Sequence, residues 1–143
     1  MTENIRITRQ AGGAWQCPFS RPELATILDA MREVCGLEEV FLDLTITDDN
    51  AISQVNQNFL NCPGPTNILS FPPATNDGLG GASLVFSLDT LERECLLYGQ
   101  DAAEHTLRLL AHGMAHLGGH DHGPAMDAVQ DAAFVAGKSA LSL

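Results

Sequence analysis

The stretch "AAEHTLRLLAHGMAHLGGHDH", residues 102–122, changes character at Gly118. Up to Leu117 its apolar residues Leu107, Leu110 and Met114 recur three and four positions apart, the spacing of one buried helical face. Asp101 stands just before it as an N-cap. Gly118 and Gly119 then end the helix with backbone that can turn at positive φ. Such a stripe needs a surface to pack on, and the rest of the chain supplies short strands. "NIRIT" (4–8), "EVFLDLTIT" (39–47), "NILSF" (67–71) and "SLVFS" (83–87) read as strands, the third stopped by Pro72-Pro73. Between them come a helix over 20–36 with a Ser20/Glu23 capping box and a short helix capped by Asp48 or Asp49. A third runs from Ser87 or Asp89 to Tyr98, closed by Gly99, and a last one opens at Pro124 and stops near Gly137. The interleaving predicts an α+β fold over residues 1–143: one domain, helices packed on a small mixed four-stranded sheet.

Composition narrows the function. Forty-five per cent hydrophobic and 17% charged residues make a folded globular chain. A net charge of -11 repels phosphate backbones, which argues against nonspecific nucleic-acid binding over the whole surface. No stretch approaches a membrane span, and "MTENIRITRQ" has no apolar run to serve as a secretion signal, so a cytoplasmic protein is expected. Cys17, Cys35, Cys62 and Cys95 are scattered and are expected as free thiols in or near the core.

Four of the five histidines fall within residues 112–122. His112 and His116 lie four apart and share a helical face, so both imidazoles reach one ion. The glycine turn lets the chain fold back and bring His122 to the same place. Three nitrogen ligands with no fourth protein ligand leave a position open for water, which marks a catalytic rather than a structural site. The site would thus sit at a helix and the turn that follows it. Zinc suits these donors, and another divalent transition metal such as nickel fits the same set. His116 and His120 are also four apart, but the glycines between them disfavour that pairing, which leaves His120 at the rim. His105 lies two turns before His112, too far to be a ligand, and is expected to bond a ligand or pack beside one. Asp121 is placed either to orient an imidazole or to face solvent.

The same spacing occurs in the metzincin proteases, H-E-x-x-H-x-x-G-x-x-H, whose glutamate is the general base. Here that position is Gly113, so peptide hydrolysis lacks its proton acceptor.

The residues resemble instead the signature of the YbeY endoribonucleases, H-G-x-x-H-x-x-G-Y-D-H. His112, Gly113, His116, Gly119, Asp121 and His122 match it, with His120 at the tyrosine. "PTNILSFP" (65–72) resembles the family's P-T-[DN]-V-L-S-F-P. Asn56 and Phe59 match its L-N-x-x-[YF]-R stretch. The resemblance implies one zinc ion in a cleft and cleavage of single-stranded RNA. It also implies a role in 16S rRNA 3′-end maturation and ribosome quality control, with the small ribosomal subunit or its proteins as partners and neither DNA nor a membrane involved.

Two positions depart from the family. Its arginine falls on Leu60 and the aspartate of its G-D-[IL]-V-I segment on Ser83. A guanidinium stabilises phosphate charge and a leucine does not. The alternatives are therefore an assembly factor that keeps the metal site but cleaves weakly or not at all, and a metal hydrolase of another substrate. Thr66, Asn67 and Ser70 are candidates for RNA contact, or equally for bonding a turn after Pro65. Phe71 is either core or a platform for a base. Arg6 and Arg9 on the first strand are candidate phosphate contacts.

Overall fold

Residues 4–10, 17–73, 81–121 and 123–142 are described by the computed structural model. Within them β1 (Ile5–Arg9), β2 (Leu42–Thr47), β3 (Ile68–Phe71) and β4 (Ala82–Ser87) form one sheet in the order β1-β2-β4-β3. The first three strands in that order run parallel, and β3 is an antiparallel edge. Register explains the alternation seen in the sequence. Leu44 pairs with Leu84 and Ile46 with Phe86, while Ser70 and Ile68 stand opposite the same two residues of β4. These side chains share the covered face. Thr45, Ser83, Val85 and Phe71 point the other way.

The covered face receives α1 (Arg21–Val34) and α4 (Ala102–Leu117), with α5 (Pro124–Ala140) laid over both. Leu24, Ile27, Leu28 and Met31 of α1 meet Leu107, Leu110 and Met114 of α4, all buried in the core. Each such side chain contributes about 1.5–3 kcal/mol. Among the described residues the opposite face carries only α2 (Asp49–Leu60), which touches β4 and α3 (Leu88–Tyr98). The caps are those the sequence announces. Ser20 and Glu23 form the reciprocal capping box, and Asp48, Ser87 and Asp101 accept from the backbone of the first turns of their helices.

Three expectations need correction. The strand expected from residue 39 begins at Leu42, because Val40 N–H donates to Leu37 O in a turn. The last helix runs past Gly137 to Ala140. Gly137 is not a stop: a Cβ there would lie 2.7 Å from Met31 Cε, so the glycine lets α5 approach α1. All four cysteines are free, but Cys62 is exposed rather than near the core.

Candidate metal centre and its cleft

The last two turns of α4 show how the sequence builds the site. Between Ala111 and Leu117 every residue is buried except His112 and His116, which are half-buried. Their rings stand edge to face with centroids 4.6 Å apart. His112 Nδ1 lies 2.9 Å from Gln130 Oε1 on α5. A carbonyl oxygen only accepts, so Nδ1 carries the proton and the lone pair sits on Nε2. This is the partner a metal-binding imidazole needs.

The turn that follows is a Schellman motif. Gly119 N–H donates to His116 O and His120 N–H to Ala115 O, with Gly119 at φ 89°. It carries His120 and Asp121 round to face the helix. The third expected ligand, His122, lies outside the described residues. Among the described residues no group of three His, Cys, Asp or Glu side chains is placed to hold an ion, so the expected trio is represented there by His112 and His116. The donor chemistry fits zinc: two imidazoles share a face, and one has its tautomer fixed.

Gly113 brings α4 close to the sheet. A Cβ at this position would lie 2.8 Å from Leu84 Cδ2, 2.9 Å from Ile68 Cδ1 and 3.2 Å from Ser70 Oγ. The position where a metzincin keeps its glutamate therefore points into packed strands, away from the histidines. Ser70 Oγ donates to Gly113 O at 3.2 Å, so β3 is bonded to the helix at the site.

The two sequence motifs enclose one cleft of about 540 Å³. Thr66, Asn67, Ser70 and Pro72 line one side, and His112, His116, Gly119, His120 and Asp121 the other. Asn56, the motif asparagine of α2, donates through Nδ2 to Gly64 O at 3.1 Å and braces the loop leading to Thr66.

Other expected residues are elsewhere. Phe71 faces away from the cleft into a second hollow of about 400 Å³ with Thr45, Val55, Phe59, Ser83 and Val85. It meets Phe59 edge to face at 5.8 Å. Arg6 and Arg9 are on β1, the opposite edge of the sheet from β3, and Arg6 is paired with Asp43 at 2.8 Å. Neither lines the cleft. Among the described residues the partner of His105 is Glu94 rather than a histidine of the site: its Nε2 lies 2.9 Å from Glu94 Oε1. Sequence reasoning missed Gln130 and Glu94, whose partners lie 18 and 11 residues away on other helices.

The fold is shared with the solution structure of TM1509 from Thermotoga maritima. The TM-score is 0.65 at 20% identity, covering 94% of this chain and 89% of that one. The family model described as Endoribonuclease YbeY matches residues 19–132, and the chain belongs to that family. Among relatives carrying that name, one from Nitratidesulfovibrio vulgaris is 43% identical over 139 residues, covering 84% of this chain and 86% of the relative. Another, from Oleidesulfovibrio alaskensis, is 38% identical over 145 residues and covers 86% of each.

Proposed function

We propose that the chain is a zinc-dependent, single-strand-specific endoribonuclease of the cytoplasm that matures the 3′ end of 16S rRNA and serves ribosome quality control. The observation that carries this reading is the single cleft shared by the helix-borne imidazoles and the Thr66–Ser70 wall. Family membership and the name its relatives bear support RNA as substrate.

His112, His116 and His122 would hold the ion, which when bound polarises a phosphate oxygen and makes a water molecule more acidic. Gln130 keeps the His112 ring in the tautomer and orientation this requires. Thr66, Asn67 and Ser70 border the strand, and His120 and Asp121 close the far rim. A cleft of about 540 Å³ is the size of a small-molecule site; it takes a few splayed nucleotides, not a stacked duplex. Its lining includes no lysine or arginine, and the chain carries a net charge of -11. Long-range attraction to RNA is therefore weak, which supports substrate presented on the small ribosomal subunit or by its proteins.

The test is incubation of zinc-loaded protein with a single-stranded rRNA fragment, its duplex and the equivalent DNA, with and without chelator, beside His116→Ala. Cleavage of the single-stranded RNA alone, lost with chelator and in the variant, is expected. Equal cleavage by wild type and variant overturns the reading.

A second reading, an assembly factor that cleaves poorly, rests on Leu60. It is 49% exposed at the end of α2 and brings no cation where the family has arginine. Full nuclease activity in the wild-type chain, unchanged by Leu60→Arg, removes its basis.

A further inference from the structure

Asn67 lines the cleft, and its side-chain amide is held from two sides. Its Oδ1 accepts from Ile68 N–H at 2.7 Å. Its Nδ2 lies 3.3 and 3.2 Å from the two carboxylate oxygens of Glu94 on α3. The two oxygens of one carboxylate subtend a narrow angle at Nδ2, whereas the two amide hydrogens diverge. One hydrogen is thus shared between the oxygens, and the second has no acceptor among the described residues. Glu94 is in turn fixed by His105 of α4 at 2.9 Å, where the carboxylate accepts and Nε2 carries the proton. His105 sits on the same helix as His112 and His116. One carboxylate therefore ties the cleft wall to the helix that bears the imidazoles.

We propose that Asn67 donates its second amide hydrogen to a phosphate oxygen of the RNA strand, and that Glu94, held by His105, is the positioning residue that aims it. The inference rests on the RNA reading above. It supplies what the cleft lining otherwise lacks, since no lysine or arginine is among those residues. A neutral amide anchored on a carboxylate is a directed donor that needs no cation. His105 thereby acquires a role away from the ion.

The experiment measures binding of a cleavage-resistant single-stranded RNA, 2′-O-methylated with phosphorothioate linkages, to zinc-loaded protein by fluorescence anisotropy. Asn67→Ala is expected to weaken binding roughly tenfold, and Glu94→Ala about fivefold. Glu94→Gln keeps an acceptor for His105 but sets an amide –NH2 against Asn67 Nδ2, 3.2 Å away, and should weaken binding about as much as Glu94→Ala. The reciprocal swap Asn67→Asp with Glu94→Gln keeps a hydrogen bond between the two positions but removes the donor. It should melt like wild type and bind RNA as weakly as Asn67→Ala. A folded swap protein or a folded Asn67→Ala protein that binds like wild type overturns the assignment. So does a wild-type protein that binds no RNA. Wild type that binds but does not cleave removes the nuclease reading and leaves this assignment standing.

Discussion

Ser70 and Gly113 are bonded through the serine hydroxyl and the glycine carbonyl at 3.2 Å, and the absent side chain of Gly113 is what allows the approach. A methyl at Gly113 meets Leu84 and Ile68, both buried, at under 3 Å. The overpacking costs about 1–3 kcal/mol, against a gain of about 1 kcal/mol in helix propensity. Gly113→Ala should lose stability by about 1 kcal/mol net, a Tm drop of roughly 3–5 °C by thermal melting. Gly113→Glu, the metzincin residue, forces a carboxylate among these strands and should cost more than about 3 kcal/mol. A Gly113→Glu protein that melts like wild type and gains peptidase activity contradicts the packing argument.

Gln130 acts on His112 and not on the core, so its loss should separate affinity from stability. Gln130→Ala is expected to weaken zinc binding about 10–100-fold while moving the metal-free Tm only slightly. Gln130→Glu still offers an acceptor to Nδ1 and should retain most of the affinity. Competition against a chromophoric chelator gives both numbers; equal affinity in Gln130→Ala and wild type removes the proposed role.

The junction of α2 and α3 predicts an acid limb. Burial alone pushes the Asp49 carboxyl up, but the hydrogen bonds from Arg93, Thr90 and Ser87 together outweigh it and hold the carboxyl below its ordinary value of 3.8. Thr90 Oγ1 and Ser87 Oγ both donate to Asp49 Oδ1, at 2.7 and 2.8 Å, and Arg93 pairs with Oδ2. A depressed folded value gives stability that is present above the unfolded value and is lost as pH falls through the folded one. Asp49→Asn should be less stable by about 1–2 kcal/mol at pH 7, with the gap narrowing below pH ~4. Denaturant melts at pH 7 and pH 3 check it; a pH-independent difference shows that the carboxylate does not contribute this way.

Thiol chemistry should sort the cysteines. Burial pushes the Cys35 thiol up to about 11, and it also raises those of Cys17 and Cys95. Cys62 is exposed on its loop. At pH 8 an alkylating reagent should modify Cys62 first and reach Cys35 only in denaturant. Peptide mass mapping over time reads the order, and early labelling of Cys35 contradicts its burial.

Salt dependence probes the cleft. With no lysine or arginine in its lining, log Kd for single-stranded RNA should change with log salt by a slope of only about 1–2. Leu60→Arg adds one cation and should tighten binding and steepen the slope by about 0.7. A wild-type slope of about 6 or more indicates a cationic surface elsewhere on the chain.

Local signals carried most of the architecture. The alternation in 42–47 and 82–87, the caps at Ser20, Asp48 and Asp101, and the stripe of Leu107, Leu110 and Met114 each depend on neighbours a few residues away. The helical pair His112 and His116 was legible for the same reason, since one turn fixes its geometry. Pairings across the fold were not. Nothing in the spacing of Gln130 or Glu94 announces a partner on another helix. That Arg6 and Arg9 stand on the sheet edge away from β3 follows from strand order, which no local spacing reveals. Phe71 and Ser70 are neighbours in sequence, yet the pleat sends one to each side of the sheet. Gly137 imitated a helix stop because a packing glycine and a terminating glycine are the same letter.

A Cβ on Gly118, two residues after His116, would lie 2.5 Å from Cys35 O at the C-cap of α1. The end of the imidazole-bearing helix is thus wedged against the end of the helix that anchors the core. Opening that turn means parting two helix ends that both belong to the core, so it should open with the core rather than ahead of it. The amide protons of Gly118 and Gly119 should accordingly exchange in step with those of the core.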